Sequence, residues 1–141
     1  MTVSIEVVAD PSPCLALRME VFVHEQGVPV EDELDTLDDH AVHILARDGS
    51  TPIGTARVVI QGDTAKIGRV CIVKSARGTG LGKELMQFAL DLVTGKSDVK
   101  RAKLGAQTYA IGFYEGLGFA PFGPIYDDGG IPHRDMVKEL K

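Results

Sequence analysis

An α/β fold built on a mixed, mostly antiparallel sheet flanked by helices is what the sequence predicts, and three observations lead there. Short apolar alternations are punctuated by the turn signals Asp48-Gly49 and Gly62-Asp63, which link three consecutive strands as hairpins. The third strand, within Lys66 to Val73, runs through a glycine loop, Arg77-Gly-Thr-Gly-Leu-Gly-Lys83, into an amphipathic helix. The whole order reads βααβββαβαββ, and the hairpin-linked trio ahead of the loop is foreign to a doubly wound nucleotide fold.

Each element has its own signal. Val3, Ile5 and Val7 alternate with Ser4 and Glu6 as a half-buried first strand,, stopped by Asp10-Pro-Ser-Pro13. Ser12 is expected to cap a helix with Pro13 at its first position and Leu15, Met19 and Phe22 on its inner stripe, ending near Glu25 to Gly27,. Gln26-Gly-Val-Pro29 is a turn. The acidic stretch from Val30 to Asp39 carries Glu31, Asp32, Glu33, Asp35, Asp38 and Asp39 and reads as a solvated loop or short surface helix,. His40 to Ala46 and Ile53 to Ile60 are the next two strands.

After the glycine loop, Leu81, Leu85, Ala89 and Val93 recur every four residues with Met86 and Leu90 beside them, so this helix lays one face on the sheet before stopping at Gly95,. Leu104 to Gln107 reads as a short buried strand. Ala110, Phe113, Tyr114 and Leu117 follow helical spacing, with Gly118 as a left-handed stop,. Phe119 to Phe122 and His133 to Leu140 are expected as final strands, separated by a Gly-Pro-rich link from Gly123 to Pro132.

A length of 141 residues suits one domain,. The apolar fraction of 44% and charged fraction of 25% are ordinary for a soluble globular chain, without an apolar run near a membrane span,. The N-terminal residues lack the basic and apolar regions of a signal peptide, and Cys14 and Cys71 are too few for a disulfide framework, so a cytoplasmic location is expected. The net charge of −5 argues against a nucleic-acid surface,. His40 and His43 beside Asp38 and Asp39 lack a supported ligand set, so no metal is expected,.

Gly78, Gly80 and Gly82 let the backbone adopt conformations that a Cβ forbids,. The following helix start offers unpaired N–H groups and a positive dipole end to a phosphate or pyrophosphate. A P-loop is excluded because Arg77 stands five residues before Gly82 and Glu84 follows Lys83,. A dinucleotide fingerprint is excluded by the early third glycine and by the mid-chain position of the strand. What remains, Arg-x-x-Gly-x-Gly after an apolar strand, resembles the acetyl-CoA pyrophosphate loop of the GCN5-related N-acetyltransferase (GNAT) superfamily. Gln107-Thr-Tyr-Ala-Ile-Gly-Phe-Tyr-Glu-Gly-Leu-Gly-Phe119 is similar to the superfamily's second signature, Asn-x-x-Ala-x-x-Phe-Tyr-x-x-Leu-Gly-Phe, with Gln107 where Asn is usual. Within it, Val21-Phe-Val-His-Glu-Gln-Gly-Val-Pro29, Lys66-Ile-Gly-Arg-Val70, Ala106-Gln107 and Gly130-Ile-Pro-His133 resemble the small bacterial ElaA-like branch.

The resemblance implies a GNAT fold and transfer of an acetyl group from acetyl-CoA to an amine-bearing acceptor in a ternary complex. It implies that backbone N–H groups of Gly78, Thr79, Gly80, Leu81, Gly82 and Lys83, with Arg77, hold the pyrophosphate, that the pantetheine arm lies along Cys71, Ile72 and Val73, and that Gln107 and Tyr114 border the donor. Tyr114 matches the general acid that protonates the departing thiolate; alternatively it only completes the apolar face of its helix. The acidic stretch would rim the site of a cationic amine. For the base, His24, Glu25, Glu33, His43 and His133 are candidates, and a water chain is the alternative. A strict alternation puts Arg69 on the face of Ile67, Cys71 and Val73, paired with an internal acid or presented to a substrate carboxylate. Cys71 is read as core rather than nucleophile. A non-catalytic acyl-CoA or nucleotide sensor is the rival, a pure protein-interaction domain a third reading, and pairing into a homodimer is left open.

Overall fold

The computed structural model describes residues 2–33 and 35–141; Leu34, inside the acidic stretch, lies outside them. Among the described residues seven strands form one sheet in the order β1-β2-β3-β4-β5-β7-β6. β1 (Val3–Val8), β2 (Val42–Asp48), β3 (Thr51–Gln61) and β4 (Thr64–Ile72) pair antiparallel in sequence. β5 (Arg101–Gln107) runs parallel to β4, and β7 (Ile131–Glu139) lies between β5 and β6 (Ala120–Asp128).

β3 lies inside the sheet between β2 and β4. Its residues from Ile53 to Val59 are buried without alternation, as expected of a strand covered on both faces. One face packs against α3 (Leu81–Thr94), whose Leu81, Leu85, Met86, Ala89, Leu90 and Val93 are buried as the spacing predicts; each full-sized aliphatic side chain so buried contributes about 1.5–3 kcal/mol. The other face packs against α1 (Ser12–Arg18), which continues as a π-helical segment, Met19–Glu25. Cys14, Leu17 and Val21 form that contact, with Leu45 and Cys71 opposite. The expected stripe of Leu15, Met19 and Phe22 is therefore one step off, because the small thiol of Cys14 serves as the core position at the helix start. Pro11 rather than Ser12 precedes the first turn, and Asp10 accepts hydrogen bonds from the Ser12 N–H (3.0 Å) and hydroxyl (2.7 Å).

Three further expectations are corrected. The link from Gly123 to Pro132 is mostly strand: β6 and β7 form a long hairpin turning at Gly129-Gly130, whose left-handed φ values of +63° and +84° make the tight reversal. The helix of the second signature is short, α4 (Ile111–Glu115), because Thr108–Ala110 coils as a 3-10 turn first. The alternation of β4 breaks at Arg69, whose φ is +49°. Gly68 faces Arg57 while Cys71 faces Thr55, so two residues of β4 oppose Ala56 alone. This β-bulge inverts the phase of the strand: Ile67 joins the core on the α3 side and Cys71 the core on the α1 side.

Candidate active site

β4 and β5 separate soon after they begin. Their parallel pairing covers Thr64 to Lys66 against Arg101 to Lys103, although β4 continues to Ile72 and β5 to Gln107. A parallel ladder that opens leaves the inner backbone groups of both strands without their cross-strand partners, and a cleft of about 630 Å³ lies along the opening. It reaches from Arg77 and Gly82 at one end to Asp128, Gly129 and His133 at the other.

The glycine loop forms the first end. Gly78 and Gly80 adopt φ of +77° and +85°, and a Cβ at either would meet open space, so backbone conformation, not crowding, requires glycine there. No side chain caps α3, and its first ladder bond runs from the Glu84 N–H to the Gly80 carbonyl at 3.2 Å. The N–H groups of Leu81, Gly82 and Lys83 are thus presented to an anion. Thr79 hydrogen-bonds through its hydroxyl to the Ala76 carbonyl (2.7 Å) and tightens the turn. Arg77 donates to the Ile72 carbonyl (3.0 Å) and meets the Glu25 carboxylate with both terminal nitrogens (2.5 and 2.7 Å). These donors fit a pyrophosphate.

Among the twelve sequence-predicted donor residues, Cys71, Ile72, Arg77, Gly82, Gln107 and Tyr114 line the cleft. Leu81 buries its side chain in the core, which leaves only its backbone to a ligand. The Val73 N–H is already donated to the Ile53 carbonyl at 3.0 Å. Backbone groups alternate in direction along a strand, so Ile72 and Val70, rather than Val73 and Cys71, turn theirs toward the opening. Burial pushes the Cys71 thiol up to about 12, which makes it a poor nucleophile.

Tyr114 reaches the cleft from α4, packed edge-on against Phe113 and Phe119 at centroid distances of 5.1 and 6.2 Å. Burial first, and the nearby Tyr109 second, push its phenol up to about 12, so it stays protonated. Gln107 donates to Gln26 Oε1 (3.0 Å) and accepts from the Tyr109 hydroxyl, tying the end of β5 to the end of the π-helical segment.

The second end of the cleft is built from distant elements. α2 (Val30–Glu33) and the 3-10 turn Thr36–His40 are held down by three arginines. Arg18, 1% exposed, donates to Glu33 (2.6 Å) and to both Asp38 oxygens (2.8 and 3.0 Å). Arg57 donates to Asp35 and Asp38, and Arg69 to Asp35 and the Glu33 carbonyl. Burial works to raise the Asp35 and Asp38 carboxyls, but hydrogen bonds from Arg57 and Arg18 and the guanidinium charges outweigh it and hold both below the ordinary range. Arg69 therefore satisfies its internal-pair reading, and half of the acidic stretch is anchor rather than rim. Asp32 still borders the cleft. Sequence reasoning did not see this lattice: its arginines sit on α1, β3 and β4, and no local pattern links them.

Tyr126 was not anticipated either. It lies over Gly105, where a Cβ would come within 2.4 Å of its hydroxyl, and it donates to Asp135 at 2.7 Å. Its ring stacks on His133 at 6.0 Å. Gly129 packs on Val28, where a Cβ would sit 2.9 Å from the nearest methyl, and this joins the β6–β7 hairpin to the α1–α2 turn. Among the base candidates, Glu25, Glu33 and His133 line the cleft; His43 is buried with Nε2 3.0 Å from the Asp38 carbonyl. Among the described residues no three His, Cys, Asp or Glu converge as a metal site, and no helix is long and apolar enough to cross a membrane.

A split sheet whose cleft joins an anion cradle to a protonated phenol is the layout of an acyl-transfer enzyme. Comparison with known proteins agrees: residues 8–140 match the family described as acetyltransferase (GNAT) domain, and the chain belongs to that family. A Bacillus subtilis (strain 168) protein named as a candidate acetyltransferase is 44% identical over 126 residues, 87% of this chain and 85% of its own length. Protein ElaA of Escherichia coli (strain K12) is 35% identical over 130 residues, 89% of this chain and 85% of its own. The crystal structure of Escherichia coli ElaA superposes with a TM-score of 0.87 at 30% identity, covering 98% of this chain and 100% of that one.

Proposed function

We propose that this chain is a single-domain, acetyl-CoA-dependent N-acetyltransferase that moves the acetyl group to a primary amine by direct attack in a ternary complex. The observation that carries the reading is the single cleft joining the uncapped start of α3 to the Tyr114 phenol along the β4–β5 opening. The cradle fixes the donor through backbone amides, so side-chain identity matters little there. An N–H of Ile72 or Val70 polarises the thioester carbonyl and stabilises the tetrahedral oxyanion, worth roughly 3 kcal/mol for a well-placed donor. Tyr114 gives its proton to the leaving sulfur. Cys71, raised to about 12, takes no covalent part, and Cys71→Ala keeps most activity. The two buried free thiols fit a reducing cytoplasm,.

Calorimetry with acetyl-CoA, followed by a thiol-release assay over an amine panel, tests the reading. An enzyme binds the thioester and releases CoA when its amine is present. A sensor that keeps the cradle binds but releases none, and a protein-interaction domain does neither.

A further inference from the structure

We propose that His133 is the general base that deprotonates the attacking amine, an assignment resting on the acetyl-transfer reading above. It is set apart from the other candidates by what each is bonded to. Glu25 spends both carboxylate oxygens on Arg77, and Glu33 is buried with Oε1 on Arg18. The hydrogen bonds from Arg77 hold the Glu25 carboxyl below its ordinary range, which leaves it a weak proton acceptor, and Glu33 is only 2% exposed,. An imidazole is the side chain whose ordinary titration range falls at neutral pH.

The hydrogen bonding of His133 settles which ring nitrogen works. Nδ1 lies 2.7 Å from the Ile131 carbonyl, which only accepts, so Nδ1 carries the hydrogen in the neutral ring,. The Nε2 lone pair is left for the cleft. Two further contacts fix the ring plane: Tyr126 stacks on it at an interplanar angle of 26°, and Tyr126 is itself tethered to Asp135. Gly105 leaves the space that this tether needs. In register, His133 stands between Gln107 on β5 and Tyr126 on β6. Gln107 is where β5 ends and the chain turns into the segment bearing Tyr114. Acid and base thus line the same cleft.

The proton count closes. Nε2 takes a proton from the ammonium, and the freed lone pair attacks the thioester carbonyl carbon. The C–N bond forms, the C–S bond breaks, and its electron pair leaves on sulfur, which takes the phenolic proton of Tyr114. The new amide nitrogen loses its second proton through His133 to restore Tyr114, and the first proton leaves to solvent.

Besides Glu25, Glu33 and Arg77, the charged or titratable groups that share the cleft are Asp128 and Tyr126 on β6, Asp32 on α2, Arg57 on β3, Lys66, Arg69 and Cys71 on β4, Tyr114 on α4 and Tyr109 just before it. The test therefore uses readouts specific to the imidazole. His133→Gln is assayed with acetyl-CoA and lysine, spermidine, tyramine, glucosamine and O-methylhydroxylamine. With the best aliphatic amine, kcat is expected to fall about 100-fold, acetyl-CoA affinity to stay unchanged by calorimetry, and the acidic limb of the pH–rate profile to vanish. The loss is smaller with O-methylhydroxylamine, which is uncharged at neutral pH. A variant that keeps wild-type kcat and its acidic limb overturns the assignment while leaving acetyl transfer standing. A wild-type protein that acetylates none of the amines overturns both. Nitrogen NMR of the wild-type ring needs no variant: a neutral His133 protonated on Nδ1 supports the assignment, and one protonated on Nε2 removes it.

Discussion

The two ends of the cleft are built in opposite ways. The end proposed to hold the donor is nearly continuous in sequence, Ile72 to Lys83, and is made of backbone: left-handed glycines, an uncapped helix start and the inner edge of a strand. The end proposed to face the acceptor gathers side chains from α1, α2, β3, β4 and the β6–β7 hairpin, held by three arginines, three carboxylates and one stacked pair. Backbone recognition tolerates exchange of side chains and suits a donor shared by many enzymes. Side-chain recognition ties its specificity to this particular chain. The difference teaches where each kind of substitution should be felt.

The sharpest break comes from the arginine lattice. Glu33→Gln removes one of the two carboxylates that pair the buried Arg18 and leaves Asp38 as the other, a loss of about 1–3 kcal/mol,. Urea unfolding should show that loss, while the donor end keeps its amides; a variant as stable as wild type would show the lattice to be surface-like. On the chemical step, Tyr114→Phe should lower kcat about 100-fold with little change in acetyl-CoA affinity. Unchanged turnover would return Tyr114 to a packing role.

Smaller effects sharpen the contrast. Gly80→Ala forces a Cβ into a φ of +85° without touching a neighbour, a strain of about 1–2 kcal/mol. Acetyl-CoA binding measured by calorimetry should weaken about tenfold, and the acceptor KM should not move. Smallest is a pH effect at the acceptor end. Asp35 and Asp38 have folded values below the ordinary 3.8, so the stability they lend is present above that pH and is lost as pH falls through the depressed values,. Acid unfolding of Asp38→Asn should accordingly show a shallower dependence below about pH 3.8 than wild type.

Much of the fold was legible because its signals are local. The four-residue recurrence from Leu81 to Val93 and the hairpin turns at Gly49 and Gly62 appear where they were read. The Gly123 to Pro132 stretch misled because Gly and Pro weigh toward loop, yet an edge strand tolerates both, and pairing with β7 supplies what propensity lacks,. The β4 reading failed for another reason: nothing in Ile67-Gly-Arg-Val-Cys71 announces an extra residue, and one bulge exchanges the two faces.

What the sequence determined alone is the shape of the glycine loop, since its glycines followed by an amphipathic run dictate the backbone conformation and leave helix-start amides unpaired. What only the tertiary structure decided is the acceptor wall: which acids are consumed by Arg18, Arg57 and Arg69, and that Tyr126 braces His133 above Gly105. The arginine contacts join residues at least 15 positions apart, and their energy exists only once the sheet has set the register that brings them together.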